Sequence, residues 1–194
     1  MPTLDIMEIL EDKTDLSPAP RIVHVLEHGV DWENRTVHLN GDITPDLGGW
    51  LWGILDYWAG EPVTLNLSTD GGDVGAMFEM HSAIRRHGDV TVTAYGLVAS
   101  AGVLVLAACH RRIVTETIAV MSHESSGYGG DVGYRAAKDR RAYDEWQHKT
   151  WCNLMGRYTN RDEKWWDRTT MRKGELWLLG GEEVVEHGLA DEVI

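Results

Sequence analysis

Twice in the middle of this chain an alternating apolar strand runs into a cluster of small residues and leaves it as a helix, and few folds accommodate that repeat. Val63, Leu65 and Leu67 alternate with Thr64, Asn66 and Ser68 as a half-buried strand. The strand ends in Ser68-Thr69-Asp70-Gly71-Gly72-Asp73, after which Val74 to Arg86 reads as a helix. Val90 to Tyr95 alternates again and delivers the chain to Tyr95-Gly96-Leu97-Val98-Ala99-Ser100-Ala101-Gly102, and Val103 to Cys109 follows as an apolar helix. Ile113 to Met121 returns as one or two strands ending at His123. Strand, helix, strand, helix in this order needs crossover connections, which are right-handed, so the chain is expected to be an α/β protein.

The two joins are also where chemistry is expected. Glycine and alanine around Ser100 let the backbone turn sharply and let another segment approach the hydroxyl, which is how a nucleophile is displayed. The same residues would equally make a tightly packed helix start with Ser100 as its cap. Gly71 and Gly72, directly after a strand, can turn backbone N–H groups into open space at the head of the next helix, an anion cradle. They lack the lysine of a phosphate-binding P-loop and the third glycine of a dinucleotide fingerprint. If Ser100 attacks a carbonyl, the N–H groups of Gly72 and Ala101 would hold the oxyanion, each contributing roughly 3 kcal/mol to lowering the barrier. His123, at a strand end, is then the general base, although a lone histidine there also serves as an ordinary structural residue. The following loop, Glu124 to Gly130, is glycine-rich, and its Ser125, Ser126 and Gly127 are expected to lie beside a bound substrate strand.

Elsewhere the pattern is one of scaffolding. Residues 1–20 end in Ser17-Pro18-Ala19-Pro20 and read as a mobile arm ahead of a single domain over 21–194. Ile22 to Leu26 and Thr36 to Leu39 read as strands. His24-Val25-Leu26-Glu27-His28 matches the HxxEH zinc-protease pattern, but in a strand the two imidazoles would stand about 13 Å apart, too far to share a metal. Thr44-Pro45-Asp46 opens a helix whose Leu47, Trp50, Leu51, Ile54, Leu55 and Trp58 form one apolar face. A long polar helix from Gly133 to about Tyr158 carries Tyr143, Trp146, Thr150 and Leu154 on a narrow stripe suited to packing on a partner subunit. Trp165 to Leu179 reads as a tryptophan-rich loop, and a last helix begins near Glu182.

Composition closes off several classes. A net charge of −13 argues against a nucleic-acid or anionic-membrane partner. No apolar stretch reaches the roughly 20 residues of a membrane span, and the acidic Met1 to Asp15 segment is not a signal peptide. Cys109 and Cys152 show no paired spacing for a disulfide or a zinc site, which suits a reducing cytoplasm. No cofactor and no metal is called for. Nine tryptophans against one phenylalanine suggest interface packing more than a cofactor box.

The order DGGDV, AYGLVASAG, VMSH and EEVVEHGLADEVI resembles the Clp protease proteolytic subunit, ClpP, across roughly residues 35 to 194. The resemblance implies a ClpP/crotonase-like fold with a protruding handle helix and a serine endopeptidase acting on peptides or unfolded proteins. It makes Ser100 the nucleophile and His123 its base, with Gly72 and Ala101 in the oxyanion hole. It also implies self-association into rings, as a homo-tetradecamer of two stacked rings, and an AAA+ unfoldase as partner. The ends where the family meets its unfoldase do not align here, which points to ATP-independent action. The family's third triad member does not carry over: gapless counting puts Leu176 at the acid's position, with Glu175 beside it and Asp167 farther off. Glu175 is the expected acid if a one-residue bulge at Gly180-Gly181 shifts the register. A ring subunit with impaired chemistry, a phage-type capsid maturation protease and an acyl-CoA enzyme on the crotonase fold are the competing readings.

Overall fold

The computed structural model describes residues 25, 28–124, 134–171 and 174–194. Eight strands form one sheet: β1 (Val30–Asp31), β2 (Thr36–Asn40), β3 (Val63–Thr69), β4 (Val90–Ala99), β5 (Arg111–Val114), β6 (Ala119–His123), β7 (Glu175–Leu179) and β8 (Glu192–Val193). The helices are α1 (Leu47–Tyr57), α2 (Val74–His87), α3 (Ala101–Ala108), α4 (Tyr134–Tyr158), α5 (Glu163–Met171) and α6 (Gly181–Glu186). The α/β expectation is met, and α4 is the protruding handle. Among the described residues no helix is long and apolar enough to cross a membrane.

The main sheet runs β1-β2-β3-β4-β5-β8, parallel from β2 onward. Its central strand, β4, changes neighbours along its length. Thr91–Ala94 pair with β5, whereas Leu97–Ala99 pair with β6. The switch follows from Gly96, at φ 62°, where the pairing with β3 jumps from Leu67 with Ala94 to Thr69 with Val98. Such a bulge re-aims the strand end. The strand expected to stop at Tyr95 therefore continues to Ala99, because glycine lets the chain bend without leaving the sheet. β6 in turn carries antiparallel β7.

α3 is apolar on every side and all eight of its residues are buried, so it sits in the core rather than on it. α2 is fixed at both ends. Asp73 accepts a hydrogen bond from the Ala76 amide at 2.8 Å, Gly88 closes the helix at φ 90°, and Arg85, Arg86 and His87 place positive charge in its last turn.

Three local expectations are corrected. Val25 and His28 are helical, not extended, and the Gly29 amide donates back to the Val25 carbonyl at 2.8 Å to close that turn. The strand geometry used against the HxxEH pattern therefore does not hold, while His24 and Glu27 lie outside the described residues. Thr44 does not cap α1; its hydroxyl donates to the Asp46 carboxylate at 2.6 Å, which holds that acid below its usual pKa. The expected loop from Trp165 holds α5 and β7 instead. Asp162 caps α5 through the Trp165 amide at 2.7 Å, and Trp166, Thr169 and Thr170 are buried at helical spacing. Of the tryptophans, Trp58 and Trp166 are buried, Trp166 edge-on to Trp151 and Trp165, five are half-buried, and Trp146 and Trp177 are exposed. The expected arm, residues 1–20, lies outside the described residues.

Candidate active site

Ser100 stands between β4 and α3 with φ 53° and ψ −118°. A side chain rarely adopts this conformation, which costs on the order of 1–3 kcal/mol unless the surroundings enforce it. The enforcement is visible. The Ser100 amide donates to the Met121 carbonyl of β6 at 2.7 Å, and the Val103 amide returns to the Ser100 carbonyl at 3.1 Å. The hydroxyl makes no capping bond to α3, so the expectation of an ordinary cap fails. A sharply turned serine at a strand-to-helix junction, half-buried, is what displays a hydroxyl for attack.

The glycine pair closes on this turn. A Cβ on Gly71, at φ 98°, would lie 2.6 Å from the Ser100 Cβ and 2.8 Å from the Ala99 carbonyl oxygen. Only glycine fits there. Gly72, at φ 146°, is pressed against the Ile43 backbone, whose amide donates to Gly71 O at 2.7 Å and whose carbonyl accepts from Asp73 at 2.8 Å. The Gly71 amide is taken by the Thr69 hydroxyl at 3.0 Å. That leaves the amides of Gly72 and Ala101 without a partner among the described residues, the second of them at the positive end of α3.

His123 is the last residue of β6, two positions beyond the Met121 that pairs with Ala99. Parallel pairing thus brings Ser100 and His123 to the same end of adjacent strands, although no hydrogen bond joins their side chains. In the antiparallel β6–β7 ladder His123 is directly opposite Glu175, and Leu176 is opposite Ser122. Directly opposed residues share a face with Cβ atoms about 4.5–5.5 Å apart. The ladder runs without interruption from Ala119 with Leu179 to His123 with Glu175, so no bulge within it is needed to bring Glu175 across from the imidazole. Its carboxylate is nonetheless turned along β7, accepting from the Trp177 indole N–H at 2.9 Å. Asp167 is elsewhere, bonded to His148 at 3.0 Å. Ser125, Ser126 and Gly127 lie outside the described residues.

A protein-family profile described as Clp protease matches residues 55–194, which is most of the chain. The chain belongs to the Clp protease family. This Clp protease is similar in fold to a solved mutant of ClpP1 from Listeria monocytogenes, with a TM-score of 0.73 and 23% sequence identity over 84% of this chain and 92% of that one. A search of curated proteins by sequence returned no match. The ClpP-like fold expected from the motifs is therefore observed, and membership of the family implies a peptidase.

Two features of this Clp protease were not singled out by sequence. Gly71, rather than Gly72, is the residue that abuts the Ser100 turn, and Thr69 shapes the loop by holding the Gly71 amide. The clue available was positional: Thr69, Gly71 and Gly102 are all small, and a Cβ on Gly102 would run into the Thr69 methyl group.

Proposed function

We propose that this Clp protease is a serine endopeptidase with Ser100 as nucleophile and His123 as general base. The single observation that carries the reading is the backbone of Ser100, forced to positive φ beside two unpartnered amides, since a structural serine has no need of that strain. In the reaction the imidazole of His123 takes the hydroxyl proton as Oγ attacks the peptide carbonyl, and later returns it to the leaving amine. The Gly72 and Ala101 amides donate to the carbonyl oxygen as it becomes an oxyanion. Glu175 releases the Trp177 indole and turns across the ladder to orient His123 by its second nitrogen. That is a rotamer change, supported by the register and not by the present side-chain position.

Peptide is proposed to bind as an added strand beside the 125–130 loop. Self-association into rings through α4 is supported by its exposed, stacked Tyr143 and Trp146, with ring centroids 5.8 Å apart. Two seven-membered rings enclosing the sites remain the proposed assembly, checked by sedimentation.

The test is labelling with a fluorophosphonate. The native protein is expected to gain one adduct per chain and Ser100→Ala none. A second reading, a ring subunit with impaired chemistry, is favoured by the Glu175 carboxylate lying on Trp177. A folded native protein that takes no label at any pH between about 6 and 9 would establish that reading instead.

A further inference from the structure

His148 and Cys152 stand one helical turn apart on α4, and Asp167 reaches them from α5. His148 Nε2 lies 3.0 Å from Asp167 Oδ1 and 3.4 Å from Cys152 Sγ, and all three donor atoms fall within 4.8 Å of one another. Cysteine, histidine and aspartate together could be a catalytic relay or a metal site, and one detail separates the two. A relay spends one ring nitrogen on the acid and the other on the nucleophile. Here the same nitrogen meets both, so the ring relays nothing. Donors gathered about one point suit a coordination sphere.

The spacing has the right scale. Tetrahedral zinc with Zn–S of about 2.3 Å and Zn–N or Zn–O of about 2.0–2.1 Å separates its ligand atoms by roughly 3.3–3.6 Å. The two pairs made by His148 are within a few tenths of an ångström of that, and Cys152 Sγ and Asp167 stand within 4.8 Å of each other. The cysteine is buried and the histidine side chain only 14% exposed, whereas Asp167 is 48% exposed, so the sphere is closed on the protein side and open outward. A divalent ion there would take the cysteine as its thiolate and the imidazole in its neutral form. Sulfur, imidazole and a single carboxylate exclude magnesium and calcium, which take oxygen donors, and suit zinc.

We propose that His148, Cys152 and Asp167 bind a zinc-type cation that staples the handle to α5. α5 precedes β7 and Glu175 in the chain. The inference does not depend on peptidase activity.

The probe is cobalt(II), added to the purified full-length protein and followed by the near-ultraviolet thiolate-to-cobalt charge-transfer band. One equivalent per chain is expected to give the band, zinc to abolish it by displacement, and affinity to rise with pH as the ligands deprotonate. Cys152→Ser is expected to lose the band and Cys109→Ser, in the buried core, to keep it. The half-exposed Asp167→Asn is expected to weaken binding by about tenfold or more while folding normally, and zinc to raise the melting temperature of the native protein but not of Cys152→Ser. No band in the native protein, or an undiminished band in Cys152→Ser or Asp167→Asn, overturns the proposal. Labelling of Ser100 is scored in the same samples, so failure of this site and failure of the peptidase reading are told apart.

Discussion

Histidine meets an acid in two regions of this molecule, and the two meetings differ in every physical respect. At the base of the handle, His148 and Asp167 come from packed helices and are already bonded beside a buried thiol. At the sheet end, His123 and Glu175 face each other across a ladder, yet the carboxylate is turned to a tryptophan and the imidazole makes no bond with Ser100. One turn of α4 sets Cys152 beside His148, and the packing of α5 on α4 brings Asp167 to the same point. Strand ends fix only where backbones stand, leaving side chains to be completed by rotation or by a substrate. The proposed peptide site and the proposed ion site look different for that reason.

The sharpest way to break the comparison is at Glu175. If it turns to His123 during the reaction, Glu175→Gln is expected to lower kcat by up to about 10⁴ with little change in KM, as loss of the orienting acid does in serine triads. An unchanged kcat in steady-state peptide cleavage would remove Glu175 from the site. Next comes Gly71→Ala, whose added methyl would meet the Ser100 Cβ. Displacing the hydroxyl by about 1 Å is expected to slow labelling roughly 10²-fold, measured as the rate of fluorophosphonate adduct formation.

At the other region the expected effect is on stability. The largely buried Arg112 donates to Asp191 and to the carbonyls of Tyr158 and Gly188, both at 2.8 Å, tying the end of the handle to β5. Arg112→Met is expected to cost about 2 kcal/mol by chemical denaturation, mainly through the orphaned carbonyls, since Asp191 is too exposed for its ion pair to count fully. Burial raises the Asp191 pKa, but the hydrogen bonds from Arg112 outweigh it and leave the carboxyl below its ordinary value. Its contribution is therefore complete above about pH 4 and lost as the pH falls through the lowered folded pKa, so the gap between the native protein and the variant should narrow in acid, leaving the part due to the carbonyls. The smallest expected effect is that of Trp177→Phe, which removes the indole N–H holding Glu175. A rise in kcat of a few-fold would show that the indole restrains the acid; a fall would show that it positions it.

Much of the site was legible in the residues themselves. Small residues around Ser100 and the pair Gly71-Gly72 can be read as a sharp turn and a close approach because both are properties of a few adjacent positions. The α5 helix was not legible. Its apolar positions are tryptophans and threonines rather than a leucine stripe, and what makes them internal is the cover supplied by Trp151 and by the Thr159 hydroxyl on the Trp166 indole at 2.9 Å. The His148, Cys152 and Asp167 cluster was not read, although a histidine and a cysteine stand one turn apart on the predicted helix. Its third member arrives from an element that read as a loop.

By itself the sequence determined the alternation of strands and helices, the turn that presents Ser100 and the long handle, since period and turn chemistry are written within a few residues of where they act. Tertiary structure alone decided that β4 forks at Gly96, that Glu175 rather than Leu176 faces His123, and that Asp167 of α5 meets His148 of the handle. Each of these depends on which distant segments pair and in what register, and a one-residue slip, invisible to local pattern, turns every side chain to the opposite face.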